Sequence, residues 1–280
     1  MSDIPELREL LLAGAVDERT PLLLAGGTAV AASLRGPHHE DTNEDCALVL
    51  SLGDGRGLIA VADGAGSYPQ GELASRRALE ALATAVREAG ERSLRDAVLD
   101  GFEAADAAVR ALKAGAATTL VAVSIEEGCV RTYNSGDSAA ILCGQRGRRK
   151  HETVADSPTG FGQAAGLLDE DEAFNHPERH LVCNLLGIDE LKITIGPTLE
   201  MAPKDTLVVA SDGLWDNLKL EEVVELARTG GLEETTTALI AATRARMSEP
   251  LAAQEGPRPD DLTLVLFRLR PGGEGEAPGA

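Results

Sequence analysis

The chain has 280 residues, 43% of them hydrophobic but only 2% aromatic, and its 26 Lys and Arg against 46 Asp and Glu leave a net charge of −20. A field of that sign repels phosphate backbones and anionic lipid, which excludes nucleic acid and membrane surfaces as partners; a phosphorylated substrate stays open, since bound metals reverse the potential locally. No apolar run is long enough to span a bilayer and no basic stretch precedes a signal-peptide core, so a cytoplasmic protein is expected.

Residues 6–12 (ELRELLL) read as a short helical turn, and Gly26-Gly27 leads into a strand at about 28–34, followed by a polar loop from Arg35 to Asn43. CALVLSL (46–52), the turn Gly53-Asp54-Gly55 and GLIAVA (57–62) read as a hairpin. Asp45 precedes its first strand and Asp63 follows its second. In an antiparallel hairpin the start of one strand lies beside the end of its partner, so the two carboxylates meet. Two amphipathic helices follow; Leu73, Ala74, Leu79, Leu82 and Val86 mark one apolar face, and Leu94, Val98, Ala105, Val109 and Leu112 the other.

TTLVAVSI (118–125), the turn Glu126-Glu127-Gly128 and CVRTYN (129–134) form a second hairpin that delivers Asp137 to a strand exit, with AAILCG (139–144) as a third strand. The stretch from Lys150 to Pro197 shows few periodic signals, and an irregular insertion of that length is more often functional, or a mobile flap, than a structural necessity. TLVVA (206–210) is a strand ending in Ser211-Asp212-Gly213; helices near 220–228 and 232–247, a Pro-rich loop to Asp260-Asp261 and a last strand at 262–270 complete the pattern. The tail PGGEGEAPGA reads as disordered. Strand pairs followed by helix pairs, twice over, imply one domain of mainly antiparallel sheets covered by helices. Cys46, Cys129, Cys143 and Cys183 show no CxxC pairing and are expected as buried free thiols in a reducing compartment.

Five acidic residues, Asp45, Asp63, Asp137, Asp212 and Asp260, sit where these strands begin or end, in the signatures NED, ADG, GDS, SDG and DD, and would fall on one sheet edge. Gathered carboxylates repel one another and lose water at high cost, so they persist only with a neutralising cation. An all-oxygen set without nearby Cys or His suits Mg²⁺ or Mn²⁺. Singly, an Asp after a strand is a turn former or helix cap; together the five favour a metal. Glu40, Asp41 and Asp54 read as solvated loop charges, Thr118 and Thr119 as strand residues under the site, and Trp215 as a core anchor behind the SDG turn. His176 and His180 are spaced like a helical zinc pair, but Pro177 intervenes and no third soft ligand is evident, so both are assigned to loop or surface.

The series NEDC, VADGAGS, TTLVAV, NSGDSAA, VVASDGLWDNL and DDLTLVLF resembles, in order and spacing, the metal-dependent protein phosphatases of type 2C, in a divergent bacterial-type branch, across roughly residues 28–270. The resemblance implies an α+β fold, a four-layer α-β-β-α sandwich of two antiparallel sheets flanked by helices, with two metals at one end. It implies an N-terminal extension over 1–27, a phosphatase domain over 28–270 with a variable flap at about 150–197, and a tail over 271–280. Asp63 would bridge two metals and Gly64 would offer a backbone carbonyl; Asp212 and Asp260 would hold the first metal, Glu44 or Asp45 the second, and Asp137 a weaker third. Two hard ions about 3.5–4 Å apart would acidify a shared water to attack phosphoserine or phosphothreonine in a protein substrate.

Two departures stand out. Where many members carry a phosphate-binding Arg, this chain has Glu40, leaving Arg35, His38 and His39 as candidates; where others have a His in the DGHGG turn, it has Ala65. His38 or His39 could protonate the leaving group. The rival readings are a pseudophosphatase that binds a phosphorylated partner and a phosphomonoesterase of small metabolites. Oligomeric state is not legible in the sequence.

Overall fold

In the computed structural model, residues 9–14, 21–37, 42–113, 115–188, 190–249 and 258–270 are described. The first described elements are two short strands, β1 (Glu9–Ala13) and β2 (Leu22–Leu24), then β3 (Gly27–Leu34) and the hairpin β4 (Asp45–Gly53) and β5 (Arg56–Asp63). Helices α1 (Gly71–Glu88) and α2 (Leu94–Arg110) follow, then β6 (Leu120–Glu126), β7 (Cys129–Ser135), β8 (Ala139–Cys143) and β9 (Arg149–Glu152). The stretch after β9 holds two short helices, α3 (Pro158–Ala164) and α4 (Glu170–Phe174), before β10 (Thr194–Ile195) and β11 (Leu199–Glu200). The last part runs β12 (Thr206–Ala210), α5 (Asp212–Trp215), α6 (Leu220–Ala227), α7 (Leu232–Met247) and β13 (Leu262–Leu269).

These strands build two antiparallel sheets, one ordered β1-β4-β5-β6-β7-β10 with β11 also on β7, the other β2-β3-β13-β12-β8-β9. The sequence explains the stacking, because successive strand side chains point to opposite faces. On β5, Leu58, Ala60 and Ala62 meet α1 and α2, whereas Ile59 and Val61 enter the core between the sheets. On β13, Leu262, Leu264 and Leu266 face α5, α6 and α7, while Val265 and Phe267 face inward. Both faces being buried, the strands read as continuous apolar runs rather than alternating ones. The result is the four-layer α-β-β-α sandwich that the resemblance implies. Each fully buried Leu or Val contributes about 1.5–3 kcal/mol.

Residues 9–13 are not helical. They form β1, which pairs with β4 in the register Leu11↔Leu48 and Leu12↔Ala47. A short apolar run suits either state by pattern, and here burial on both faces decides, with Leu11 against the helical layer and Leu12 between the sheets. The segment ahead of residue 28 thus adds an edge strand to each sheet, β1 to β4 and β2 to β3. The cysteines also differ from expectation: Cys46 and Cys143 are buried, but Cys129 is half-buried and Cys183 exposed, on a segment without regular structure.

Candidate functional site

The hairpin places Asp45 and Asp63 as direct cross-strand partners, as antiparallel geometry requires. Asp63 is fixed through its backbone. Its N–H donates to Thr119 Oγ1 (3.0 Å), and its carbonyl accepts from Thr118 Oγ1 (2.7 Å) and the Thr119 N–H (2.8 Å). The two threonines therefore do lie under the site. Gly64 packs so closely that a Cβ there would stand 2.3 Å from the Gly71 carbonyl carbon, at the start of α1. A Cβ on Gly213 would stand 1.9 Å from the Asp261 carbonyl oxygen. The two DG signatures thus need glycine because backbone meets backbone.

A buried polar network ties the other signatures together. Ser211 Oγ donates to Asp45 Oδ2 (2.7 Å) and accepts from the Thr263 N–H (3.1 Å). Thr263 Oγ1 pairs with Ser33 Oγ (2.7 Å), Asn43 Nδ2 donates to Ser33 Oγ (2.9 Å), and Asn43 Oδ1 accepts from the Asp45 N–H (2.9 Å). Asp261 Oδ1 and Oδ2 accept from the Gly36 and Glu44 N–H groups, both at 2.7 Å, and the Asp261 N–H donates to Asp260 Oδ1 (2.8 Å). The NED, SDG and DD segments are locked to one another before any ligand arrives.

The electrostatics are those of carboxylates crowded together away from water. Burial, then Asp45, Asp212 and Asp260, push the Asp63 carboxyl well above the usual range; burial, then Asp260, Asp137 and Asp216, do the same to Asp212. Asp45 is pushed up to about 8 by burial, with Asp261 and Asp260 adding to it and the Ser211 hydrogen bond opposing. Asp137 rises to about 7, again through burial first and Asp216 next. Asp212 Oδ1 is buried with no hydrogen-bond partner among the described residues. An orphaned carboxylate oxygen amid other carboxylates is what a hard cation satisfies. Yet no group of three or more acidic, His or Cys side chains among the described residues is gathered tightly enough to hold a metal unaided. Mg²⁺ and Mn²⁺ keep several waters and need few direct protein ligands, so the donor set fits them.

Asp137 and Asp212 open onto a cavity of about 850 Å³ between helices α3 and α4 and the sandwich, walled also by Trp215, Asp216, Phe174 and Arg179. Asp216 is a residue that the sequence reading missed. It lies one turn after Asp212, its N–H bonded to the Asp212 carbonyl (2.7 Å), and so shares that face. The i, i+4 spacing was the available signal. Trp215 is half-buried and donates through Nε1 to the Ala210 carbonyl (3.0 Å), so it anchors the turn and also walls the cavity.

Glu44 points its carboxylate over the start of α1, where a Cβ on Gly71 would meet Glu44 Oε1 at 2.7 Å. Arg35 is exposed on the loop after β3. His38, His39, Glu40 and Asp41 lie outside the described residues. Asp54 is exposed in its turn, as expected. His176 and His180 sit in a turn rather than on a helix; His176 Nδ1 accepts from the Glu178 N–H (3.2 Å) and His180 is exposed.

The sequence profile of the protein phosphatase 2C family matches residues 35–254. The serine/threonine phosphatase stp of Listeria monocytogenes is 29% identical over 206 residues, which cover 69% of this chain and 80% of that protein. The Ser-Thr phosphatase MsPP of Mycobacterium smegmatis, solved with cacodylate, superposes with a TM-score of 0.71 at 28% identity, over 86% of this chain and 97% of that one. The catalytic domain of the phosphatase PstP, solved with two manganese ions, has a TM-score of 0.68 at 24% identity, over 87% of this chain and 98% of that one.

Proposed function

The chain belongs to the protein phosphatase 2C family, and on that premise we propose that it hydrolyses phosphoserine and phosphothreonine in protein substrates with Mg²⁺ or Mn²⁺ as cofactor. The observation that carries the reading is the buried Asp212 Oδ1, without a hydrogen-bond partner among the described residues, beside Asp63 and Asp137, whose carboxyls like that of Asp212 have a raised affinity for protons. Asp63 and Asp212 are the central pair, with Gly64 and Asp260 beside them and Glu44 or Asp45 completing a two-cation centre. Asp137 and Asp216 flank a third position on the cavity side. Divalent cations held there would supply Lewis acidity toward the phosphoryl oxygens and acidify water near neutrality.

This chain's own residues hold and orient. Thr118 and Thr119 fix Asp63, Ser211 fixes Asp45, and Asp261 fixes the loop carrying Glu44. Arg35, His38 and His39 are assigned to the substrate phosphate, with one of the histidines donating a proton to the leaving oxygen. Residues 28–270 are taken as the phosphatase domain, with 150–197 as its flap. No helix among the described residues is long and apolar enough to cross a membrane, and the unpaired cysteines support a reducing cytoplasm as the setting. The complete carboxylate set disfavours a binding-only role.

The test is hydrolysis of p-nitrophenyl phosphate by metal-stripped protein with and without added Mn²⁺ or Mg²⁺. Activity should appear only with metal and vanish in Asp63→Asn and Asp212→Asn while circular dichroism stays native. Retained turnover in either variant would sink the assignment.

A further inference from the structure

Asp137 is held differently from the other acidic residues of the site. Asp45 and Asp63 end paired strands, whereas Asp137 lies in the Gly136–Ser138 bend that carries the chain from β7 in one sheet to β8 in the other, outside any ladder. Ser138 Oγ pairs with Thr119 Oγ1 (2.7 Å) at one end of that bend, and its Gly136 end is fixed by Asp156, a 5% exposed carboxylate at the beginning of the flap. Its Oδ2 accepts from the Gly136 N–H (3.1 Å), and its own N–H donates to the Gly136 carbonyl (2.9 Å). The same Oδ2 accepts from Asn184 Nδ2 (2.6 Å), and the Asp156 carbonyl accepts from the Cys183 N–H (2.7 Å). Ser157, the next residue, caps α3 through the Gly160 N–H (3.0 Å). Asn184 in turn closes the far end of the flap, with its side chain bonded to both the carbonyl (2.7 Å) and the N–H (3.0 Å) of Lys192. Ser135 Oγ, at the end of β7, donates to the Asn184 carbonyl (2.7 Å).

One carboxylate therefore joins the first turn of the flap, its last segment and the bend that presents Asp137. We propose that Asp156 is a positioning residue that couples the flap to Asp137, so that displacing the flap weakens cation binding at Asp137 while the Asp63–Asp212 pair, whose Asp63 is set by strand pairing and by Thr118 and Thr119, keeps its affinity. This rests on the proposed two-cation reading. A phosphoprotein that pushes on the flap would then alter the third position selectively.

The experiment is calorimetric titration of the metal-stripped full chain with Mn²⁺, combined with amide hydrogen exchange. The weak binding event is identified as the one lost in Asp137→Asn. In Asp156→Ala that event should weaken roughly 10–100-fold, the scale of lost outer-shell support, while tighter binding is unchanged. The Gly136 amide, protected in the wild type by Asp156 Oδ2, should exchange faster. Asp156→Asn, which keeps an acceptor oxygen, should restore both. Should Asp156→Ala fail to fold, Asn184→Gly serves instead; it removes the second bond and suits the left-handed backbone at φ 61°. It should weaken the same event. Wild-type binding with no change in Asp156→Ala, or an Asn variant as impaired as the Ala variant, overturns the coupling alone. Absence of any cation binding by the wild type overturns the two-cation reading itself, and the coupling with it.

Discussion

Replacing Ser211 with alanine removes one hydroxyl and strands two buried groups. The hydroxyl donates to Asp45 Oδ2 at 2.7 Å and accepts from the Thr263 N–H at 3.1 Å. Ser211 and Thr263 are 0% exposed and Asp45 2%, so water cannot stand in for the lost partners. Losing a hydrogen bond to a charged carboxylate costs about 1.5–3 kcal/mol and an unsatisfied buried N–H about 1–3 kcal/mol, which together give about 2.5–6 kcal/mol when Asp45 is ionised. In the metal-free protein Asp45 loses its proton only at about 8, so the full loss belongs to alkaline solution, and a smaller one, about 2 kcal/mol, to mildly acid solution. Urea unfolding of the metal-stripped wild type and Ser211→Ala, at about pH 6 and about pH 9, reads both values. A loss below about 1 kcal/mol at the higher pH, or one that does not grow with pH, would refute the idea that this hydroxyl supports the Asp45 charge.

The same carboxylates set the sign of the pH dependence. Asp45 at about 8 and Asp137 at about 7 stand above an unfolded value near 3.8, so between those limits the native state holds more protons than the unfolded chain. That contribution is complete below the unfolded value and is lost as pH rises through 7 and 8. Thermal melts of stripped protein should therefore fall from about pH 5 to about pH 8, with Mn²⁺ restoring stability at the upper end; a flat or rising profile without metal contradicts it. Gly213→Ala, whose Cβ would stand 1.9 Å from the Asp261 carbonyl oxygen, should lose at least about 1–3 kcal/mol in denaturant, and an unchanged midpoint would mean that these loops do not touch. Phosphopeptides with basic flanks should be cleaved faster than acidic ones by a chain of net charge −20, with the advantage shrinking as salt rises; faster cleavage of acidic peptides would reverse the reading.

What could be read from the chain followed from short-range rules. A two-stranded hairpin brings its ends together whatever surrounds it, so the meeting of Asp45 and Asp63 was legible from turn and strand signals alone. Strands buried on both faces and bounded by Gly-Asp turns were equally visible, and β12 and α7 fall where their patterns put them. The failures came where tertiary context chose between equal local options. ELLLA has no period that separates helix from strand, and its pairing with β4 decided the matter. Asp216 sits within the VVASDGLWDNL signature without being singled out there, and its importance comes from facing the same cavity as Asp212 and Asp137. Asp156 carries no motif at all. Its role depends on contacts across 20 residues to Gly136 and 28 residues to Asn184, which no local pattern encodes.

The first described strands have a consequence for handling the protein. β1 and β2 flank opposite sheets on the same side of the sandwich, with β1 over β3 and β2 over β4. Removing the residues ahead of 28, where the phosphatase resemblance begins, would bare the hydrogen-bonding rims of β3 and β4 together. Such rims are templates for pairing with other molecules. A trimmed protein should therefore oligomerise or precipitate even with every acidic residue of the site intact, and the first strands work as a selvedge that keeps the fabric from joining to its neighbours.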